Sequence, residues 1–234
     1  MDLTGTTTMK NMMTSLVKNG ITRILLLCLL LPAVIRAAEQ GPVELLQETH
    51  DKVLAIVDTD PGVLEDTERL REIAYEYLLP HVDFITLSRW VMGKYWRTAT
   101  PEQREVFARE FRELLLNNYL QSVTRYRDNV IKFMPLHDAD VKRKVVVHGV
   151  VDQPGGPAVH VNFRMHNSDG NWLVYDVVVE GISLAVTHRS TFSQQIREVG
   201  IEGVIAKLES HNARAMQELE AVAEQPAAAS DITD

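Results

Sequence analysis

A single cysteine, Cys28, occurs in the 234 residues. One cysteine builds no intrachain disulfide and no cysteine metal cluster. Cys28 follows Leu27 rather than a small residue, which argues against a lipid-attachment site. Long hydrophobic runs are equally scarce. The longest, residues 24–31, reaches 12 residues if extended to Ile35, whereas a membrane-crossing helix needs roughly 20. Catalytic signatures are missing too. No His-Glu-x-x-His occurs, and Gly181-Ile182-Ser183 lacks the later glycine of a nucleophile elbow because Ala185 stands there. Asp58-Thr59-Asp60-Pro61-Gly62 departs from a calcium-loop pattern and reads as a turn. Basic residues are outnumbered, 24 against 32 acidic ones, for a net charge of −8. Such a chain is repelled by nucleic acid and by anionic bilayers.

What the N-terminus does contain is the pattern of a secretory signal. Lys10, Lys18 and Arg23 precede the apolar run, Pro32 ends it, and Ala37-Ala38 offers a small-residue cleavage site. Met12 and Met13 are alternative starts within it. Cleavage after Ala37 removes four basic residues (Lys10, Lys18, Arg23, Arg36) and the acidic Asp2, taking the net charge from −8 to −11. It also removes the only cysteine, so stability after export rests on packing.

Beyond residue 41 the apolar residues first recur at helical spacing. Residues 42–58 form one helix, with Val43, Leu46, Val53, Leu54 and Val57 near one stripe. A second helix carries Val63, Leu70, Ile73, Ala74 and Tyr77 and stops at Pro80. Residues 83–93 form a short one, rich in Phe84, Leu87, Trp90, Val91 and Met92. Thr100, Pro101 and Gln103 then make a capping box with proline at the first helical position. The helix they start runs to about Arg127, with Phe107, Phe111, Leu114, Leu115, Tyr119, Val123 and Tyr126 on one face.

The period then shortens to two. Residues 130–136, 143–152, 158–167 and 171–180 read as strands joined by Gly/Pro/Asn/Asp turns. In the third, Val159, Val161, Phe163 and Met165 oppose His160, Asn162, Arg164 and His166, as in a strand with one wet face. In the fourth, Trp172, Val174 and Val178 oppose Leu173, Tyr175, Val177 and Val179, so both faces are covered. Helices return at 183–197 and, past a break at Gly200, at 201–223. A Pro/Ala-rich tail, residues 225–234, reads as disordered. The order gives an α+β fold: helices packed on a curved four-stranded antiparallel sheet that encloses an apolar pocket.

Individual residues have ordinary readings beside their functional ones. Ser183 suits a helix N-cap. Asp176 is either a buried acid in a cone-shaped active site or a structural hydrogen-bonding group, and the second is preferred. His148, His160 and His166 read as solvated rather than metal-binding. The aromatic stripe Phe107, Phe111, Tyr119, Tyr126 reads as core from spacing alone. Lys142-Arg143-Lys144 and Arg125-x-Arg127 are surface charge able to meet phosphate.

Two long motifs go further. Val82-Asp83-Phe84-Ile85-Thr86-Leu87-Ser88-Arg89-Trp90-Val91-Met92-Gly93-Lys94-Tyr95-Trp96, followed by Thr100-Pro101-x-Gln103, is one. Trp172-x-Val174-Tyr175-Asp176-Val177-x-Val179-Glu180-Gly181-Ile182-Ser183-Leu184, with Arg189, Phe192 and Gly200-Ile201-Glu202-Gly203, is the other. Over residues 42–210 the chain resembles the MlaC/toluene-tolerance family of periplasmic phospholipid-binding proteins, which maintain outer-membrane lipid asymmetry. Where many members carry Asn-Tyr before the arginine matching Arg189, this chain has Thr187-His188.

The resemblance implies a phospholipid carrier with no catalytic residues, no metal and no cofactor, the lipid being cargo. Its implied partners are an outer-membrane lipoprotein–porin complex and an inner-membrane ABC transporter complex with a lipid-shuttling hexamer. Residues 1–37 are then a signal peptide and 38–224 the phospholipid-binding domain. The lining expected from periodicity is Trp90, Phe107, Phe111, Leu115, Tyr119, Val147, Val161, Phe163, Val177, Val179, Ile182 and Leu184. Arg143 and Arg189 are the expected headgroup contacts. The rival readings are an exported adaptor without a lipid cavity and an enzyme that uses Asp176.

Overall fold

In the computed structural model, residues 40–123, 130–136, 143–153 and 155–223 are described. The expected signal segment, the tail from 225, and Arg125, Tyr126, Arg127 and Lys142 lie outside them. Helix α1, Pro42–Thr59, opens with a proline at a position whose N–H has no helical partner. A 3-10 turn, Pro61–Glu65, replaces the expected simple turn. Helix α2, Thr67–Ile73, is capped by Asp66, whose carboxylate accepts from Arg69 N at 3.0 Å. It loosens into a π-turn, Ala74–Leu78, and then a 3-10 turn, Leu79–His81.

Asp83 starts helix α3, Phe84–Met92, by accepting from Thr86 N at 2.8 Å. Gly93 ends it at φ 56°, a conformation that disfavours a side chain. Helix α4, Pro101–Val123, begins with the expected capping box: Gln103 N donates to Thr100 Oγ1 and Thr100 N to Gln103 Oε1, both at 3.1 Å.

Strands β1 (Ile131–Phe133), β2 (Lys144–Val151), β3 (Val159–Ser168), β4 (Asn171–Val179) and β5 (Ile182–Ser183) form one antiparallel sheet in sequence order. The fifth strand is only two residues long, below the length at which alternation is visible in a sequence. Helix α5, Leu184–Ala223, folds into two arms at Gly200, which has φ 75° and ψ 174°. The sequence break at Gly200 is that corner.

One expectation is corrected. Arg164 pairs with Asp176, but Met165 pairs with Val174, so Tyr175 is an extra residue in β4. This bulge reverses the alternation midway. Val174 and Val177, assigned to opposite faces by strict period two, share the face of Met165 and Phe163.

Three apolar clusters result. Val145, Val147, Met165, Trp172 and Val174 of the sheet pack on Leu45 and Leu46 of α1. A second cluster joins Leu87, Val91 and Met92 of α3, Phe107, Phe111 and Leu115 of α4, and both arms of α5. A third packs Val63, Leu64, Leu70 and Ile73 against Leu116 and Leu120 of α4.

Candidate functional site

The three clusters meet at an apolar cavity of about 160 Å³. Leu87 and Leu115 enter it from the helical cluster, Val174 and Val177 from the sheet, Leu116 from the third cluster, and Leu184 from the start of α5. Leu79, Val82 and Phe84 close another side. The chain is held there by Asp83 N, which donates to Val174 O at 2.8 Å. Among the described residues, Arg112 is the one basic side chain in the wall. Its Nε donates to Glu113 at 2.9 Å, and its guanidinium lies over the Tyr75 ring.

Asp176 stands beside this cavity with its side chain fully buried. It accepts from Arg164 at 2.9 Å, from Ser183 Oγ at 2.7 Å and from Ala185 N at 3.0 Å. Ser183 Oγ in turn accepts from Val186 N at 3.2 Å, the N-cap geometry expected for it. The carboxylate thus clamps β3 and β4 to the head of α5. With three partners within 3.0 Å it carries the structural role preferred above, and none of those partners is a histidine that an acid–base pair would need.

The expected lining residues divide. Leu115, Val177 and Leu184 line the cavity. Val147 and Phe163 belong to the neighbouring sheet–α1 core, and Val161, partly buried, shares their face of β3. Phe107 and Phe111 are fully buried, but their face of α4 meets α5: both rings pack edge-on against Phe192, at 5.3 and 5.5 Å. Trp90 lies half-exposed against Tyr175 at 5.5 Å. Tyr119 is 47% exposed, and Val179 and Ile182 flank the β4–β5 turn at 43% and 67%. Arg143 is exposed just before β2. Arg189 lies across Gly93, so close that a Cβ there would stand 2.9 Å from its Nε.

Periodicity missed Leu79, Val82, Phe84, Leu87, Leu116 and Val174. Val174 was hidden by the bulge. Leu87 and Leu116 sit at apolar helical positions, and only the tertiary fold says which of these face the seam. His166, expected on a wet face, instead hydrogen-bonds Asp83 at 2.8 Å, tying β3 to the cap of α3. The Asp83 carboxyl is held below its usual range: burial raises it, but the Thr86 amide and hydroxyl and His166 outweigh that. Among the described residues no group of three or more His, Cys, Asp or Glu is placed to hold a metal.

A family model described as MlaC protein matches residues 47–210. The chain is 27% identical over 176 residues to the Intermembrane phospholipid transport system binding protein MlaC of Haemophilus influenzae, covering 74% of this chain and 82% of that protein. It is 27% identical over 169 residues to Toluene tolerance protein ttg2D of Pseudomonas putida, covering 71% and 78%. The solved phospholipid-binding protein from Ralstonia solanacearum, in complex with a phospholipid, superposes with a TM-score of 0.66 at 26% identity. That match covers 74% of this chain and 97% of the other.

These relatives are binding and transport proteins, so the class is a non-catalytic one for which no cofactor is indicated. Within that class, the chain belongs to the MlaC family.

Proposed function

We propose that this protein is a periplasmic phospholipid carrier that shuttles lipid between the outer and inner membranes and so maintains outer-membrane lipid asymmetry. Residues 1–37 act as its cleaved export signal. A two-tailed lipid hides on the order of 30 methylenes, and at about 0.8 kcal/mol each their exposure costs roughly 24 kcal/mol. Free diffusion between membranes is therefore negligible, and a carrier must supply an equally dry cavity. The observation that carries the reading is the apolar cavity between Val174 and Val177 on one side and Leu87, Leu115 and Leu184 on the other.

Its 160 Å³ is too small for the roughly 30 methylenes of a two-tailed lipid. Lipid entry accordingly parts the sheet from the helices at this seam. Because the clusters on either side are separate, each keeps its packing while the seam widens. Arg143 and Arg189, joined by Arg112 in the wall, meet the headgroup phosphate. The acidic surface resists adsorption to anionic bilayers, so loading and unloading use protein partners: an outer-membrane lipoprotein–porin complex and an inner-membrane ABC transporter with a lipid-shuttling hexamer.

Native mass spectrometry of the protein purified without detergent, followed by lipid extraction, tests the reading. Phospholipid at about one per chain is expected, and Val177→Trp should fill the seam and lower that occupancy with the fold intact. An empty wild-type protein that takes up no lipid from vesicles would favour the adaptor reading instead.

A further inference from the structure

A second cavity, about 710 Å³, lies between α4 and the two arms of α5. Its floor is apolar, made by Leu114 of α4, Phe192 of the first arm and Leu208 of the second. One wall is cationic. Lys207, His211 and Arg214 recur at steps of four and three along the second arm and so share one helical face. No aspartate or glutamate is among the described side chains that line the groove, although the chain as a whole carries a net charge of −8. The opposite wall contains His188. Its ring packs on Phe111 and Phe192, and its buried Nε2 is out of reach of a ligand in the groove.

We propose that this groove binds a single-chain anionic amphiphile, with its head on Lys207 and Arg214 beside His211 and its chain along Leu114, Phe192 and Leu208. The local excess of cations selects a negative head. The apolar floor selects an attached chain over a bare anion. Floor area selects one chain over two: it is made by only three apolar side chains, Leu114, Phe192 and Leu208. That suits one acyl chain with its carboxylate or phosphate, and falls short of a diacyl lipid with about 30 methylenes and a headgroup. The site is distinct from the seam at β4 and stands whether or not the seam carries phospholipid.

The test is calorimetric titration of the purified, delipidated protein with dodecanoate below its micellar concentration. Parallel titrations use inorganic phosphate and measure uptake of diacyl phospholipid from vesicles. Wild type should bind one dodecanoate per chain. The charge reversal Lys207→Glu with Arg214→Glu should weaken that at least tenfold, and Thr191→Trp, at an exposed position in the groove, should block it. Both should leave diacyl uptake at the wild-type level, whereas Val177→Trp should lower diacyl uptake and leave the groove occupied. No dodecanoate binding overturns the proposal. So does binding that survives both groove variants, which places the chain elsewhere, and so does phosphate binding as tightly as dodecanoate, which leaves the apolar floor without a role.

Discussion

The two sides of the seam are built on different principles. On the sheet side, small β-branched residues do the packing: Val145 and Val147 of β2 and Val174 of β4, held in register by ladder hydrogen bonds and pressed on Leu45 and Leu46 of α1. On the helical side no ladder exists. Phe107, Phe111 and Phe192 meet within 5.8 Å of one another and draw α4 and the first arm of α5 together. The sheet is thus positioned by backbone bonding and the helices by a few large side chains. A seam between two such units can widen while each retains what holds it. Asp176 and Asp83 are the exceptions: the hydrogen bonds of Asp176 run from β3 and β4 to the head of α5, and those of Asp83 from β3 and β4 to the cap of α3.

The comparison breaks most visibly at the aromatic cluster. Phe111→Ala should cost about 3–5 kcal/mol, whereas Val147→Ala, equally buried, should cost about 2 kcal/mol because fewer atoms are removed and the ladder remains. Urea unfolding of the two variants measures the gap. Equal losses would mean that the sheet depends on side-chain packing as heavily as the helices do. Asp176→Ala comes next, at about 3 kcal/mol, the lower end for breaking a buried pair because Arg164 is partly exposed. Its signature should be earlier exchange of amides at the start of α5, with β2 unaffected.

How much of this division is legible in the sequence follows from the range of each signal. The Thr100–Gln103 box and the corner at Gly200 depend on neighbours within a few residues, and both stand in the structure where the pattern places them. The bulge at Tyr175 depends on how β4 meets β3, and nothing local announces it. It moved Val177 to the face of Val174 and so decided which valines line the seam. Phe107 and Phe111 are recognisable as a buried stripe, yet whether that stripe meets the sheet or α5 is set by tertiary packing alone. Val147 and Phe111 are both buried, yet neither lines the cavity, and only the tertiary fold decides that.

Gly93 sharpens the comparison within the helical side. It closes α3 at φ 56°, and Arg189 of α5 lies against it. Gly93→Ala combines left-handed strain with a Cβ 2.9 Å from the Arg189 Nε. The guanidinium is the end of a flexible side chain and can shift, so the loss should be about 1–2 kcal/mol. Pairing it with Arg189→Ala relieves the contact and leaves the strain. A double variant no more stable than Gly93→Ala would assign the whole cost to the backbone.

The smallest expected effect is acid-dependent and lies on the sheet side. His50 of α1 holds the edge of the sheet through its Nε2, which accepts from Ile131 N at 3.2 Å. Burial lowers the imidazole below its ordinary value, outweighing the upward pull of Asp51. Protons therefore bind the unfolded chain more readily than the folded one. The stability this group contributes is complete above the unfolded value near 6.5 and is lost as pH falls through the lower folded value. A protonated Nε2 cannot accept the Ile131 amide, so exchange at that amide should rise in mildly acidic buffer. Asp83, whose carboxyl is held low, gives up its contribution only at more acidic pH still. That order separates the two sides again, with the β1 edge on α1 loosening before the cap of α3. In His50→Gln the mildly acidic step should vanish while the Asp83 step persists. An unchanged profile in that variant would show that the α1–β1 contact is held by Phe133 and Leu45 packing rather than by the imidazole.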